Sequence, residues 1–252
     1  MRKSSTNIGL LGIIESIIRK HPLVYLIFRS LIKFTNIFEK DFDGLKLLNF
    51  KHKINIIDVG ASDGISVKYF FKNLSVNKII CYEPYQDYVN SLKKFDNIII
   101  KPYAIGDKNC VKKIFYPTYS FFKKKYNLIT YAHYDMNLMK HFIKDFYFRK
   151  NLIISSSYLK IKRIYKINYK VDLIKIDTNG YELNVIKGLL KIIKKDKPAL
   201  IVEINKDHNK ISNILKQYGY KSYYYSINEK KFSKKFNKNC TNKYFLQNTN
   251  LN

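Results

Sequence analysis

The 252-residue chain has no tryptophan, three cysteines, five prolines and nine glycines, and its 19 acids are outnumbered by 47 lysines and arginines. Each shortage excludes something. Cys81, Cys110 and Cys240 are an odd number at spacings unlike a zinc motif, which argues against a disulfide scaffold and for a reducing, cytoplasmic compartment. Long apolar runs are missing too. Glu15 follows the run from Ile8 to Ile14 and Arg29 follows that from Leu23 to Phe28, both short of the ~20 residues a membrane-crossing helix needs. Arginine occurs only five times, so the planar fork that reads phosphate and guanine is scarce. Nucleic acid is therefore disfavoured as a partner despite a formal charge of +28.

What the chain has is lysine, isoleucine, asparagine and aromatics, with 46% hydrophobic residues. That is too much apolar material for a disordered tail and enough for one α/β domain with an appendage. The lysine excess reads partly as compositional drift at solvent-facing positions. A field this positive still favours anionic acceptors or anionic membrane surfaces.

The periodicity predicts three regions. Residues 1–50 form an N-terminal helical segment: apolar clusters between 8 and 40 recur at helical spacing around a break at His21-Pro22, and a basic amphipathic surface there would suit peripheral contact with a membrane. From residue 51 to 252 short apolar runs alternate with helical stretches, the signature of a mostly parallel sheet with helices on both faces. Within it, residues 108–170 lose this regularity, fifteen Lys/Arg facing two acids among scattered tyrosines and phenylalanines. The expectation is a long, basic, aromatic cap over the carboxyl ends of the strands, where open α/β sheets bind ligands.

Four short segments carry the chemistry. Ile56 to Ser66 runs a buried strand into Asp58, a turn with Gly60 and Ala61, and a helix opening at Gly64. Its Gly-x-x-x-Gly spacing is neither the dinucleotide fingerprint nor a phosphate loop. An acid at the strand end suits a ligand with a cationic amino group, such as S-adenosylmethionine. Glu83, twenty-three residues after Gly60, ends the next strand where an acid accepts hydrogen bonds from ribose hydroxyls. Ala104 to Asp107 follows the third strand and would border an adenine. Asp177 to Glu182 ends the fourth strand. Asp177 is the candidate base or orienter of an acceptor hydroxyl, with helix capping as the alternative. Glu182 reads equally as a chemical group and as a helix-dipole acid, and Glu203 stands evenly between structural and functional readings. No His/Cys/carboxylate cluster has metal-ligand spacing.

These four segments, with Ile186-Lys187-Gly188, resemble the FkbM-type family of S-adenosylmethionine-dependent methyltransferases over about residues 54–205. The resemblance implies the class I methyltransferase fold, a seven-stranded sheet with one antiparallel strand, and O-methylation of a sugar, glycan, lipid-linked saccharide or secondary-metabolite hydroxyl. It assigns Asp58, Gly60 and Gly64 to the cofactor loop, Glu83 to the ribose, and Asp177 and Glu182 to the reacting centre. Asn179 departs from the Glu common in the family, keeping hydrogen-bonding reach but losing charge and basicity. An RNA or DNA methyltransferase, or a catalytically degenerate fold that binds a partner, are the alternatives.

Overall fold

The computed structural model describes residues 38–121, 124–146, 152–236 and 240–250, together with His21, Val24 and Ile27. The helices expected over 8–40 lie outside the described residues, apart from these positions.

The chain divides into two compact units. In the larger one, Phe38–Lys113 with Tyr158–Asn252, strand β1 (Ile54–Val59) is buried along almost its whole length, as its near-continuous apolar run requires of a central strand. Helix α1 (Ile65–Asn73), strand β2 (Val76–Tyr82), helix α2 (Gln86–Leu92) and strand β3 (Ile98–Lys101) follow, then the short strand β4 (Ala104–Ile105).

Strands β5 (Cys110–Phe121) and β6 (Lys124–Asn127), helix α3 (Met136–Phe142) and strand β7 (Leu152–Lys162) occupy the region expected to be an irregular cap. Strand structure was masked there by composition. Lys160 is exposed between buried Leu159 and Ile161 at the end of β7, but Val111 on β5 and Ile153 and Tyr158 on β7 are exposed too, and apolar residues at outward positions blur a period-two pattern. Ile114–Ser157 belongs to the second unit. Its β5–β6 hairpin pairs Thr118 with Asn127 over a small core of Tyr119, Leu128 and Phe146.

The larger unit resumes with β8 (Leu173–Ile176), α4 (Glu182–Asp196), β9 (Ala199–Glu203), α5 (His208–Lys216), β10 (Lys221–Ser226), β11 (Lys231–Ser233) and β12 (Asn242–Leu246). Helix α4 buries Val185, Ile186, Leu189, Ile192 and Ile193, the i, i+3, i+4 stripe of a helix laid on a sheet. The main sheet has the order β3-β2-β1-β8-β9-β12-β10-β11. Strands β3, β2, β1, β8 and β9 pair in parallel. β12 enters antiparallel to β9 and β10. It is the expected antiparallel strand, and β11 adds a further antiparallel edge as a hairpin with β10. The order reverses at β1, so the crevice beyond the carboxyl ends of β1 and β8 is the topological switch point where ligands bind.

A 3-10 turn over Lys40–Leu47 closes one side of the core. Phe42 and Leu45 pack with Tyr69, Phe70 and Tyr244, full burial of each such side chain contributing roughly 1.5–3 kcal/mol. Asp41 fastens the turn to β12, its Oδ2 accepting from the backbone N–H of Thr241 and Asn242 at 2.9 and 2.8 Å. Among the described residues the cysteines are free and no helix is long and apolar enough to cross a membrane.

Candidate active site

Strand β1 delivers Asp58 with no exposure at all. Ser66 on α1 donates to its Oδ2 at 2.5 Å, and the Lys175 ammonium on neighbouring β8 lies 3.2 Å from Oδ1. The strand then turns at Gly60, whose φ is 74° and whose N–H donates to the Tyr82 carbonyl at 2.9 Å. A Cβ on Gly60 would stand 1.9 Å from the Asp177 carbonyl oxygen; only glycine lets the turn after β1 and the β8 end come this close. Ala61 is buried beside it, and Gly64 caps α1, its N–H donating to Ala61 at 3.0 Å.

Glu83 continues β2 into the same loop cluster. Its Oε2 accepts from the Ser62 N–H at 2.8 Å and its Oε1 from the Tyr85 N–H at 2.9 Å. Burial pushes its carboxyl up to about 7, against the lowering effect of those two N–H donors and of Lys175. Each oxygen keeps a second lone pair for a ligand.

Ala104 is buried in β4, and Asp107 follows it. The Oδ1 of Asp107 is buried and accepts no hydrogen bond among the described residues. A buried acceptor left empty carries a desolvation penalty, which a ligand donor would relieve. Nearby Tyr181 has its phenol pushed up to about 12, by burial first and by the Asp107 charge second.

Lys175 is the residue that sequence reasoning passed over. It is buried, donates to the Gly60 carbonyl at 2.7 Å, and lies 3.2 Å from Asp58 and 3.7 Å from Asp177. Burial opposes its charge, but the two carboxylates outweigh it and hold the ammonium above its ordinary range. The only sequence signal was position: a lysine in the otherwise apolar run Leu173–Ile176, which a central strand admits only when the charge is paired.

Asp177 leaves β8 with its N–H on the Val59 carbonyl at 3.1 Å and 40% of its side chain exposed. Glu182, by contrast, has no exposure. Its Oε1 accepts from the Thr178 N–H at 2.8 Å, the Thr178 hydroxyl at 3.1 Å and the Gly180 N–H at 3.1 Å, and its Oε2 from the Asn205 amide. Glu182 thus closes the 178–180 loop from the head of α4. Asn179 is exposed at the tip of that loop with φ at 52°, a left-handed conformation that asparagine tolerates better than glutamate.

Two further acids reach the site from outside the four segments. Glu203 ends β9 next to Asp177. Glu39, exposed just ahead of the 3-10 turn, accepts from Asn242 Nδ2 at 2.7 Å and Thr241 Oγ1 at 2.9 Å. Burial first, then the charges of Asp177 and Asp41, raise its carboxyl above the ordinary range. Nothing in the sequence near Glu39 marked it. Among the described residues no group of three or more His, Cys, Asp or Glu is arranged to hold a metal ion.

The Methyltransferase FkbM domain model matches residues 58–222. Among solved structures the chain is similar to the methyltransferase FkbM from Methylobacillus flagellatus KT, with a TM-score of 0.49 and 16% identity over 79% of this chain and 45% of that one. It therefore spans less than half the length of that protein. It is also similar to precorrin-6y C5,15-methyltransferase from Geobacter metallireducens GS-15, with a TM-score of 0.38 and 13% identity over 82% of this chain and 84% of that one. A third is TrmK from M. capricolum in complex with S-adenosyl-homocysteine, with a TM-score of 0.38 and 11% identity over 85% of this chain and 70% of that one. No curated protein matches the chain.

Proposed function

The chain belongs to the FkbM methyltransferase family, whose methyl donor is S-adenosylmethionine, and on that premise we propose that it O-methylates a hydroxyl of a glycan, lipid-linked saccharide or similar small molecule. The observation that carries this reading is Asp177, a part-exposed carboxylate tied through one buried ammonium to the carbonyl of the cofactor loop.

The residues present fit the donor. Asp58 fixes the loop from below, and the second lone pairs of Glu83 suit the two ribose hydroxyls. The empty Oδ1 of Asp107 suits the amino group of an adenine. When bound, the donor supplies a methyl group on a sulfonium that leaves as a neutral thioether. Asp177 accepts the hydroxyl proton of the acceptor as the new C–O bond forms and the C–S bond breaks. Positioning of this kind lowers a barrier by several kcal/mol, up to about 7–11, and a placed base contributes roughly 10²–10⁴-fold. Glu182 serves as a positioning residue that holds the 178–180 loop.

Carboxyls at the acceptor end favour a polyol, since sugar hydroxyls donate to them. An anionic remainder of the acceptor is favoured by the overall positive field. Base stacking is less well served, because Tyr103, Tyr165 and Tyr181 each carry a lysine of this chain over the ring, at 4.4, 4.9 and 4.7 Å.

Calorimetry with S-adenosylhomocysteine tests the cofactor half: saturable binding is expected, weakened in Glu83→Ala without loss of fold. Transfer of radiolabelled methyl from S-adenosylmethionine into the carbohydrate fraction of a cell extract tests the acceptor half. Incorporation into RNA instead would overturn the O-methyl glycan reading.

A further inference from the structure

Asp177 and Glu203 end neighbouring strands. β8 and β9 run parallel with Ile176 opposite Val202, so one step nearer the carboxyl edge Asp177 stands opposite Glu203, and residues in register project to the same face. On its other side Glu203 is paired with Asn242 of β12, whose amide donates to Glu39 Oε2 and to Asp41 Oδ1 at 2.7 and 3.2 Å. Glu203 thus faces Asp177 from β8, Glu182 from the head of α4, and Glu39 from the segment ahead of the 3-10 turn. Among the described residues the cation paired with Asp177 is Lys175, and it is shared with Asp58 and the Gly60 carbonyl.

So many carboxyls around one ammonium cannot all be ionised. The proton settles where burial is deeper and the cation farther. Asp177 is 40% exposed and 3.7 Å from the ammonium; among the described residues Glu203 has no such partner. Burial first, then the charges of Asp177 and Glu182 and a hydrogen bond with Asp177, raise Glu203 far above the ordinary carboxylate range.

We propose that Glu203 is a positioning residue for methyl transfer, a neutral carboxyl that donates a hydrogen bond to Asp177 and fixes the Asp177 carboxylate toward the acceptor hydroxyl. The inference rests on the reading of Asp177 as the group that takes the acceptor proton. Glu203 keeps its own proton throughout; the hydroxyl proton goes to Asp177.

Two variants separate hydrogen-bond donation from mere bulk. Glu203→Gln keeps a neutral donor in the same place, whereas Glu203→Ala removes it. Infrared spectra of the protein alone at about pH 8.5, where ordinary carboxyls are ionised, should show a protonated-carboxyl band that disappears in both variants and shifts in Asp177→Asn. In labelled-methyl transfer to the carbohydrate fraction, Glu203→Ala should lose roughly 10- to 100-fold in rate, the size of effect expected when a reacting group is misplaced. Its affinity for S-adenosylhomocysteine should not change, and Glu203→Gln should stay within about threefold of wild type.

A wild-type spectrum without the band, or a band that survives Glu203→Gln, overturns the proposal. So does a folded Gln variant, judged by its melting temperature, that is as impaired as the Ala variant. Asp177→Asn distinguishes this failure from that of the underlying reading. If it abolishes transfer while both Glu203 variants keep the wild-type rate, the role of Glu203 alone falls. If Asp177→Asn itself keeps the wild-type rate, the Asp177 reading falls and this proposal with it.

Discussion

The Lys175 ammonium donates to the Gly60 carbonyl at 2.7 Å, so a β8 side chain holds the turn that ends β1. The same nitrogen reaches Asp58 behind the turn and Asp177 beside it. One buried cation therefore sets the distance between the loop assigned to the methyl donor and the acid assigned to the acceptor.

Removing that cation should be severe. Lys175→Met leaves Asp58 buried without its counter-charge, and breaking a buried pair from one side typically destabilises by about 3–5 kcal/mol. Urea denaturation should show a lower midpoint with an unchanged slope, and S-adenosylhomocysteine should bind more weakly in whatever fraction remains folded. Wild-type stability in Lys175→Met would show that Asp58 is solvated or protonated in the folded chain.

Glu83, if it holds the ribose as proposed, should make stability and cofactor binding respond to pH in opposite directions. Its folded carboxyl titrates near 7 because it is buried, while an unfolded glutamate titrates near about 4.3. Between those values the folded state holds a proton the unfolded state has released. Its contribution to stability is therefore full below the lower value and is lost as pH rises through the upper one, by roughly 3–4 kcal/mol in all. Binding should run the other way, since ribose hydroxyls need the ionised form as acceptor. Calorimetry at pH 6, 7 and 8 should show S-adenosylhomocysteine binding tighten with pH in the wild type and stay flat in Glu83→Gln.

Two glycines with similar backbone angles should respond very differently to alanine. Gly219 has φ of 84° and nothing within 3.9 Å of an added Cβ, so Gly219→Ala incurs only the left-handed strain of about 1–2 kcal/mol. At Gly60 the same strain is compounded by an approach of 1.9 Å to backbone, and either β1 or β8 must move. Gly60→Ala should lose cofactor binding altogether, checked by calorimetry on protein whose circular dichroism matches the wild type. Comparable melting temperatures for the two variants would refute the close approach.

Glu182 should behave as a fastener of its loop. Glu182→Ala leaves the N–H groups of Thr178 and Gly180 and the Asn205 amide without their acceptor, and each buried group left so costs about 1–3 kcal/mol. Glu182→Gln retains one oxygen and should recover part of the loss. If Glu182→Gln matched wild-type stability but abolished methyl transfer, Glu182 would be a chemical group instead.

Much of this protein was legible along the chain, because the features concerned are local. Ile56 through Ser66 is a strand, an acid and a turn in eleven residues around one strand end, and Glu83 lies one βα unit further on. A doubly wound sheet brings such strand ends together whatever fills the surface, so short acid-and-glycine segments mark a candidate site within a lysine-rich background. The strands β5 and β7 were not legible, because apolar residues such as Val111, Ile153 and Tyr158 stand at outward positions and hide alternation that depends on polar and apolar residues taking turns.

What only the tertiary structure decided is which distant side chains share one electrostatic environment. Lys175 looked like one more lysine among many until burial and parallel register placed it between Asp58 and Asp177. Glu203 and Glu39 lie 164 positions apart in sequence, yet Asn242 of the antiparallel strand β12 stands beside the first and binds the second. Sequence set the residues at each strand end. Strand order and register then decided which charges meet, because Coulomb and desolvation energies depend on distance through space and on exclusion of water, neither of which is written in separation along the chain.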